Sequence, residues 1–234
     1  MFLTFDSETT GLPKNFKAPL SDSDNWPRLV QLAWQINDNK GKLKSNKSYI
    51  IKPQGFTIPY NSEKVHGIST EIALKEGHNL EFVLKEFEND LLLSKYIIGH
   101  NIDFDINIVG AEYYRKKIKS CLEDKIKIDT GKISKQFCNL SGGIGGRLKM
   151  PKLIELYEIL FGEKFSDAHD ATYDVNATAK SFFELVKKEQ YINQDLKQNN
   201  INYEGPKLSS SNFSKIKSQE LKISTKNKND IKSD

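Results

Sequence analysis

The stretch MFLTFDSETTG (residues 1–11) opens with an apolar run and then places two carboxylates at alternate positions, Asp6 and Glu8. The apolar run predicts a buried β-strand, and side chains two apart on a strand share a face, so we expect both acids to project together. Paired carboxylates repel each other unless a cation lies between them, and hard oxygen ligands at this spacing suit Mg²⁺ or Mn²⁺. Phosphate chemistry is the commonest use of such a pair. The alternative is a half-exposed strand end with two solvated acids.

The positive charge of the chain is concentrated at its C-terminus. The 234 residues carry a formal net charge of +4, and residues 205–234 account for all of it with seven lysines and three acids. The preceding residues are therefore neutral as a group. We expect such a domain to handle nucleic acid through a local basic rim and a bound metal, because it lacks the broad positive surface of a tight duplex binder.

The cellular location is predicted from the cysteines and the apolar pattern. Only Cys121 and Cys138 are present, too few for a disulfide framework and without the spacing of a zinc site. The N-terminus carries acids instead of a basic leader, and no apolar stretch approaches the ~20 residues of a membrane helix. These observations favour a cytoplasmic protein that does not associate with membranes.

The periodicity predicts an α/β fold with one mixed sheet of five strands flanked by helices. Strands at residues 1–6, 28–37 and 48–52 form an antiparallel opening with a loop at 13–27, and strands at 96–100 and 125–129 alternate with helices and pair in parallel. Helices are predicted at 79–94, 103–117, 151–161 and 170–188, with a short helix around Ser134 and a glycine loop at 141–146. We expect one domain over residues 1–189 and a polar linker or disordered tail over 190–234.

Two further polar clusters lie where they can reach the opening acids. The stretch GHNIDFD (99–105) joins a strand end to a helix start, and side chains at the carboxyl ends of strands face the ligand crevice of an open α/β sheet. The stretch AHDATYD (168–174) carries His169 and Asp174, which are about 140° apart on an ideal helix and converge only if His169 precedes the helix. A mobile histidine beside a metal-bound aspartate suits a base that takes a proton from water.

Together, the segments DSETTGL (6–12), HNIDFD (100–105) and HDATYD (169–174) resemble, in order and spacing, the three Exo motifs of the DnaQ-like DEDDh 3′-to-5′ exonucleases. The resemblance covers about residues 1–188. Within that family the chain is most similar to the proofreading exonuclease of bacterial DNA polymerase III, including the form fused ahead of the alpha polymerase subunit, as DNWPR (24–28) and QLAWQ (31–35) indicate. It departs from the fused form by stopping at residue 234 with no polymerase behind it.

The resemblance implies a ribonuclease H-like fold and hydrolysis of phosphodiesters with two divalent ions, Mg²⁺ or Mn²⁺. The products would be nucleoside 5′-monophosphates. The implied roles are direct metal ligands for Asp6, Glu8 and Asp174, a fourth acid at Asp105, and a general base at His169. The remaining matches are to family contacts with the terminal nucleotide: Thr9, Gly11, Leu12, His66, Asn101 and Phe104.

Several of these positions have a structural alternative. His66 is interpreted either as a pocket residue or as a surface histidine in a turn, and Asn101 either orients substrate or caps the following helix. Asp129 either supports the site or terminates its strand. The glycine loop lacks the Lys-Ser/Thr ending of a phosphate loop and is interpreted as flexible. The basic cluster at residues 115–119 is interpreted as a solvated helix end.

The expected substrate is the single-stranded 3′ end of DNA, and the expected partner is the alpha subunit of DNA polymerase III. The segment QELKI (219–223) faintly resembles a sliding-clamp peptide. An RNA-directed enzyme, similar to oligoribonuclease or the tRNA-trimming exonucleases, is the nearest alternative, because both sugars fit this chemistry. A catalytically silent nucleic-acid or polymerase-binding module is the alternative from another class, and the presence of all four acids and the histidine argues against it.

Overall fold

The computed structural model describes residues 1–163 and 171–188, which form one five-stranded sheet with helices on both faces. The strand order is β3-β2-β1-β4-β5; β1 and β2 pair antiparallel, as do β2 and β3, whereas β4 pairs parallel with both β1 and β5. The strands are β1 (Phe2–Thr9), β2 (Leu29–Asn37), β3 (Leu43–Ile50), β4 (Tyr96–Gly99) and β5 (Ile126–Asp129). The predicted mixed sheet is confirmed.

The predicted bounds of β3 were wrong by several residues at its start. The strand begins at Leu43, and its side chains from Leu43 to Ile50 are exposed or half-buried. Because β3 is an edge strand whose first half, KSNK (44–47), is polar, it lacks the apolar alternation that marks a strand in sequence. Only the apolar residues at its end therefore give the sequence signal of a strand.

Seven helices occur in the described part of the chain. They are α1 (Tyr60–His66), α2 (Thr70–Glu76), α3 (Leu80–Leu93), α4 (Asp103–Lys116), α5 (Thr130–Cys138), α6 (Leu153–Phe161) and α7 (Ala171–Lys187), with short 3₁₀ turns at Leu122–Asp124 and Ile144–Gly146. The helices α1 and α2 were not predicted. Each is two turns long, too short for an apolar period to show in the sequence; α1 ends at the left-handed Gly67, and the Ser69 side chain caps α2.

Strict alternation along β1 positions the site. Phe5 faces α3, where its ring lies 5.2 Å from that of Phe87. Phe2 faces the opposite way and contacts the α7 rings Phe182 and Phe183, with centroids 5.5 and 5.7 Å apart. Because strand side chains have a period of two, Asp6 projects toward α7, as Phe2 does. Ser7 projects to the opposite face, toward α3 and α4.

The antiparallel ladder gives an independent check on this assignment. Ala33 of β2 lies directly opposite Asp6, and opposite residues in a ladder share a face. Ala33 packs in a buried cluster with Ala171 and Val175 of α7. The first turn of α7 therefore passes directly over Asp6.

Within the described residues, no helix combines the length and the apolar character needed to cross a membrane. The predicted tail at residues 190–234 lies outside the described residues, as does the clamp-like segment within it. The predicted helix at 170–188 coincides with α7 over the part that is described.

Candidate metal and nucleotide site

Three carboxylates meet at the point where α7 crosses β1. Asp6, Glu8 and Asp174 are half-buried, and each offers an oxygen within 4.8 Å of the oxygens offered by the other two. The first two come from alternate positions of β1, and Asp174 comes from the first turn of α7, next to the Val175 side chain that anchors this helix on the sheet. Three hard oxygen ligands this close together suit a divalent cation such as Mg²⁺ or Mn²⁺.

The pKa of Asp6 shows that these carboxylates repel one another when no cation is bound. Burial raises the pKa of Asp6 well above its ordinary value, and the charges of Asp105, Asp174 and Glu8 raise it further. A divalent cation between these carboxylates would reverse the effect, because it favours their ionised forms. The residues present therefore fit the metal that the sequence predicted.

Asp105 lies in the first turn of α4 and is buried. Its Oδ1 accepts two hydrogen bonds from Ser7, one from the backbone nitrogen at 3.0 Å and one from Oγ at 2.5 Å. Burial raises the pKa of Asp105 to about 7, and the two Ser7 bonds oppose the shift. Asp105 is close enough to raise the pKa of Asp6, but it is not one of the three clustered carboxylates.

Ser7 is a site residue that sequence reasoning missed. It stands between Asp6 and Glu8 and projects to the other face of β1, toward α4, where it meets an acid 98 positions away in the chain. The alternation of β1 could have revealed its direction, since it shares a face with the buried Leu3 and Phe5. Its partner could not be read from spacing alone.

The predicted general base, His169, lies outside the described residues. The described part of α7 starts at Ala171, with Asp174 in its first turn. The assignment of His169 as the base stays a prediction.

The turn after β1 contains three predicted nucleotide contacts. The Thr9 hydroxyl donates to the carbonyl oxygen of Gly11 at 2.6 Å, which closes the turn. Gly11 has a φ of 145°, and a Cβ built on it meets nothing within 4 Å, so glycine is needed for the backbone conformation and not for space. Leu12 is 75% exposed, which leaves its apolar side chain free to contact a base.

His66 is the last residue of α1 and is buried, so the interpretation as a surface histidine was wrong. Its Nδ1 accepts a hydrogen bond from the Ile68 nitrogen at 3.1 Å, and its Nε2 is buried without a partner among the described residues. Burial lowers the pKa of His66, an effect that the Thr9 backbone opposes. The ring therefore lies beside the β1 turn, with Nδ1 bonded to the Ile68 nitrogen and Nε2 buried near the Thr9 backbone.

The two predicted contacts around the start of α4 differ in environment. Asn101 has a left-handed φ of 64°, its side chain is exposed, and its backbone nitrogen donates to Asp129 Oδ1 at 3.1 Å. No side chain of the described residues caps α4, so the capping interpretation of Asn101 was wrong. Phe104 is partly buried against the core beneath it.

Asp129 joins the ends of two parallel strands. Its Oδ1 caps α5 by accepting from the nitrogens of Gly131 and Lys132 at 3.0 and 3.3 Å, and it also accepts from Asn101. The strand-end interpretation of Asp129 is confirmed, because it is the last residue of β5 and fixes the backbone that follows β4. Its support of the site stays a prediction. The charge of Asp129 also contributes to the raised pKa of Asp105.

Comparisons with known proteins place this geometry in a family. The family model described as Exonuclease matches residues 3–182. The PolC-type DNA polymerase III of Caldanaerobacter subterraneus subsp. tengcongensis is 27% identical over 82% of this chain and 12% of that protein. The 3′-5′ exonuclease DinG of Bacillus subtilis is 27% identical over 80% of this chain and 18% of that protein. Ribonuclease T of Blochmanniella pennsylvanica is 27% identical over 78% of this chain and 82% of that protein.

Solved structures show the same fold. E. coli Exonuclease I in complex with a dT13 oligonucleotide superposes with a TM-score of 0.66 at 20% identity, over 84% of this chain and 42% of that one. Exonuclease X in complex with 5′ overhanging duplex DNA has a TM-score of 0.52 at 18% identity, over 80% and 91%. The chain spans about an eighth of the polymerase relatives' length. The match over residues 3–182 and the ribonuclease H-like fold together show that this chain belongs to the 3′-to-5′ exonuclease family.

Proposed function

We propose that this protein removes nucleoside 5′-monophosphates from the 3′ end of single-stranded DNA and proofreads for a DNA polymerase III. The observation that carries the proposal is the cluster of Asp6, Glu8 and Asp174, whose oxygens lie within 4.8 Å of one another in an exonuclease fold. The relatives described as PolC-type DNA polymerase III support DNA and a polymerase partner.

In this proposal Asp6, Glu8 and Asp174 hold divalent metal, with Asp105 as the fourth acid. Mg²⁺ or Mn²⁺, when bound there, supplies an acidified water and a positive charge for the phosphoryl oxygens. His169 takes the proton from the attacking water.

The terminal nucleotide is held by residues of the β1 turn and its neighbours. Leu12 provides an exposed apolar side chain for the last base, and His66 lies beside the Thr9 backbone, where it supports this turn. Gly11 lets the backbone approach the nucleotide closely. Asn101 and Phe104 line the adjacent start of α4.

An RNA-directed exonuclease is a second candidate function, and one observation favours it. The match to Ribonuclease T covers 82% of that protein, whereas the polymerase relatives are matched over only 12% of theirs. Both sugars fit phosphodiester hydrolysis at the acid cluster, and discrimination between them would depend on contacts to the 2′-hydroxyl.

The proposal includes a domain organisation and a cellular location for the protein. Residues 1–189 form the exonuclease domain, and residues 190–234 are a tether to the alpha subunit, with a sliding-clamp contact through residues 219–223 as a weaker suggestion. Cys121 and Cys138 are free thiols. Free thiols suit the reducing cytoplasm, which is where we place the protein.

The test compares single-stranded DNA with RNA of the same length and sequence, both labelled at the 3′ end. Release of mononucleotides is measured with Mg²⁺, with Mn²⁺ and with chelator, for the natural protein and for Asp6→Asn. The matched control is Asp38→Asn, which removes an acid from the exposed β2–β3 turn.

Metal-dependent release that Asp6→Asn abolishes and Asp38→Asn preserves is the expected result. Faster release from RNA would replace the proofreading assignment with RNA processing. Absence of release from both strands, with retained binding, would leave the silent binding module as the better account.

A further inference from the structure

We propose that the glycine loop (residues 141–146) and residues 147–150 form a cleft that binds the single-stranded substrate. The cleft would hold the phosphate backbone upstream of the nucleotide that is being removed. This inference rests on the proposed exonuclease function and extends it to a second contact surface. The cleft has a volume of about 710 Å³ and is lined by the glycine loop, Lys135 of α5, and residues 147–150.

The backbone path of the glycine loop depends on its glycines. Three of its glycines have left-handed φ angles, at Gly142 (104°), Gly145 (67°) and Gly146 (74°). A Cβ on Gly143 would lie 2.5 Å from the carbonyl oxygens of Arg147 and Leu148, so this position accepts only glycine.

Backbone hydrogen bonds close this segment on itself. The Gly143 nitrogen donates to the Arg147 carbonyl at 2.9 Å, and the Lys149 nitrogen donates to the Leu140 carbonyl at 2.9 Å. The chain thus folds back so that the residues after the loop lie beside those before it. A cleft wall fixed in this way can present side chains to a ligand with little loss of conformational entropy.

The cleft is cationic. Lys135, Arg147 and Lys149 line it, and no acid is among its lining residues in the described part of the chain. Lys149 pairs with Glu155 at 2.6 Å, whereas neither of the other two cations has an ion pair with a described acid. Since the first 204 residues are neutral as a group, a lining of one sign marks a local basic rim.

The apolar part of the cleft identifies the kind of polyanion that fits. Ile144 stands at the tip of the loop and is 97% exposed, and Leu148 and Met150 contribute to the lining. Cations beside an exposed apolar tip match a single strand, which offers phosphates and unstacked bases together. A duplex hides its bases, and an acidic peptide needs no apolar tip of this kind.

The position of the cleft connects it to the acid cluster. The carbonyl oxygen of Pro151, directly after the cleft, accepts from His100 Nε2 at 2.9 Å, and His100 Nδ1 bonds to Thr130 Oγ1 at 2.9 Å. His100 follows the end of β4, which is parallel to β1, so both strands end at the same edge of the sheet. A strand whose last phosphate is at Asp6 can therefore continue toward the cleft along this edge.

The test uses the full chain with Lys135→Gln and Arg147→Gln combined. The charge-matched control combines Lys42→Gln with Lys85→Gln, two exposed lysines outside the cleft. Each protein is assayed on a long single-stranded DNA and on the p-nitrophenyl ester of thymidine 5′-phosphate, a small substrate that cannot extend to the cleft.

We expect the cleft variant to lose at least about tenfold in kcat/KM on the long strand and nothing on the ester, with the control unchanged on both. The dependence of log(kcat/KM) for the long strand on log salt should also become shallower by about 1.4, since each single-strand phosphate contact contributes about 0.7.

Two results separate this inference from the proposed function. If the natural protein cleaves both substrates and the cleft variant matches it on the long strand, the cleft assignment is wrong and the exonuclease function stands. If the natural protein cleaves neither substrate with metal, the proposed function has failed. Binding of the long strand then tests the cleft by itself: a cleft variant that binds the strand as well as the control does would overturn the cleft assignment too.

Discussion

Replacing Asp105 with Asn should stabilise the metal-free protein at neutral pH, although it should abolish activity. The buried carboxyl of Asp105 accepts two hydrogen bonds from Ser7 through one oxygen. The Asn side chain has nearly the same shape and keeps an acceptor oxygen for both bonds. The substitution therefore removes a buried charge while it preserves the hydrogen bonds that position α4 against β1.

The size of the effect follows from the pKa of Asp105, which burial raises from 3.8 to about 7. Between these values the unfolded chain has released a proton that the folded chain still holds, so stability falls as pH rises. At about 1.4 kcal/mol for each pH unit, the penalty reaches about 4 kcal/mol above neutral pH and vanishes below about pH 4. The buried amide NH₂ group of Asn carries its own desolvation cost, so we expect a gain of about 2–4 kcal/mol.

The assay is urea unfolding in chelator, at a pH below 4 and at a pH above 7, for the natural protein and Asp105→Asn. The control is Asp38→Asn, because hydrogen bonds from Lys44 and Lys42 lower the pKa of this half-buried acid to about 2. Its ionised form stabilises the folded state above pH 3.8, so its replacement should act in the opposite direction. The reasoning would be refuted if, above pH 7, the free energy of unfolding of Asp105→Asn were equal to or lower than that of the natural protein.

Three further predictions concern single side chains. Ser7→Ala should cost about 1–3 kcal/mol in urea unfolding, because the buried Asp105 oxygen loses one of its two donors; an unchanged midpoint would contradict the geometry. His169→Ala should lower kcat roughly 10²- to 10⁴-fold, while Mn²⁺ should still raise the melting temperature of the variant. If Mn²⁺ no longer raised it, His169 would be a metal ligand and not a general base. Glu112→Ala should cost about 3–5 kcal/mol, because it leaves Arg28 and Arg115 without their fully buried partner, and a change below about 1 kcal/mol would argue against a buried ion network.

The parts of the fold that the sequence predicted well are those with a regular period. The alternation of β1 and the helical period of α7 each follow from local geometry, and the alternation predicted that Asp6 and Glu8 share a face. The meeting of Asp174 with Asp6 was implied only by the family resemblance. The mixed sheet followed from the same reasoning, because strands that alternate with helices pair in parallel.

The elements that were missed lack such a period. The strand β3 is a polar edge strand, and α1 and α2 are too short to show one face. The burial of His66 depends on these two short helices, since α1 ends at His66 and Ser69 caps α2 next to it. Without these helices, the sequence left His66 open between a pocket residue and a surface histidine in a turn.

The features of the site that depend on tertiary contacts could not be predicted from spacing. The bond between Ser7 and Asp105 joins residues 98 positions apart, and the bond from Asn101 to Asp129 joins residues 28 apart. The second contact explains why Asn101 does not cap α4: its backbone nitrogen is held by Asp129, in a left-handed conformation that turns the chain away from β4. Helix capping preferences are local and do not include this competitor.

The alternation of β1 also explains why the four acids do not approach the site in the same way. Asp6 projects toward α7 and meets Asp174 there, while Ser7 projects toward α4 and meets Asp105. Asp105 is therefore held on the far side of the strand by two hydrogen bonds to one of its oxygens, and its second oxygen is the one that can turn toward a cation beside Asp6. A cation in the cluster would lower the pKa of Asp6 and Asp105 at once, so metal binding and the ionisation of Asp105 should be coupled. The stabilisation produced by Mg²⁺ or Mn²⁺ should accordingly be smaller in Asp105→Asn than in the natural protein, because the variant has less buried charge for the metal to neutralise.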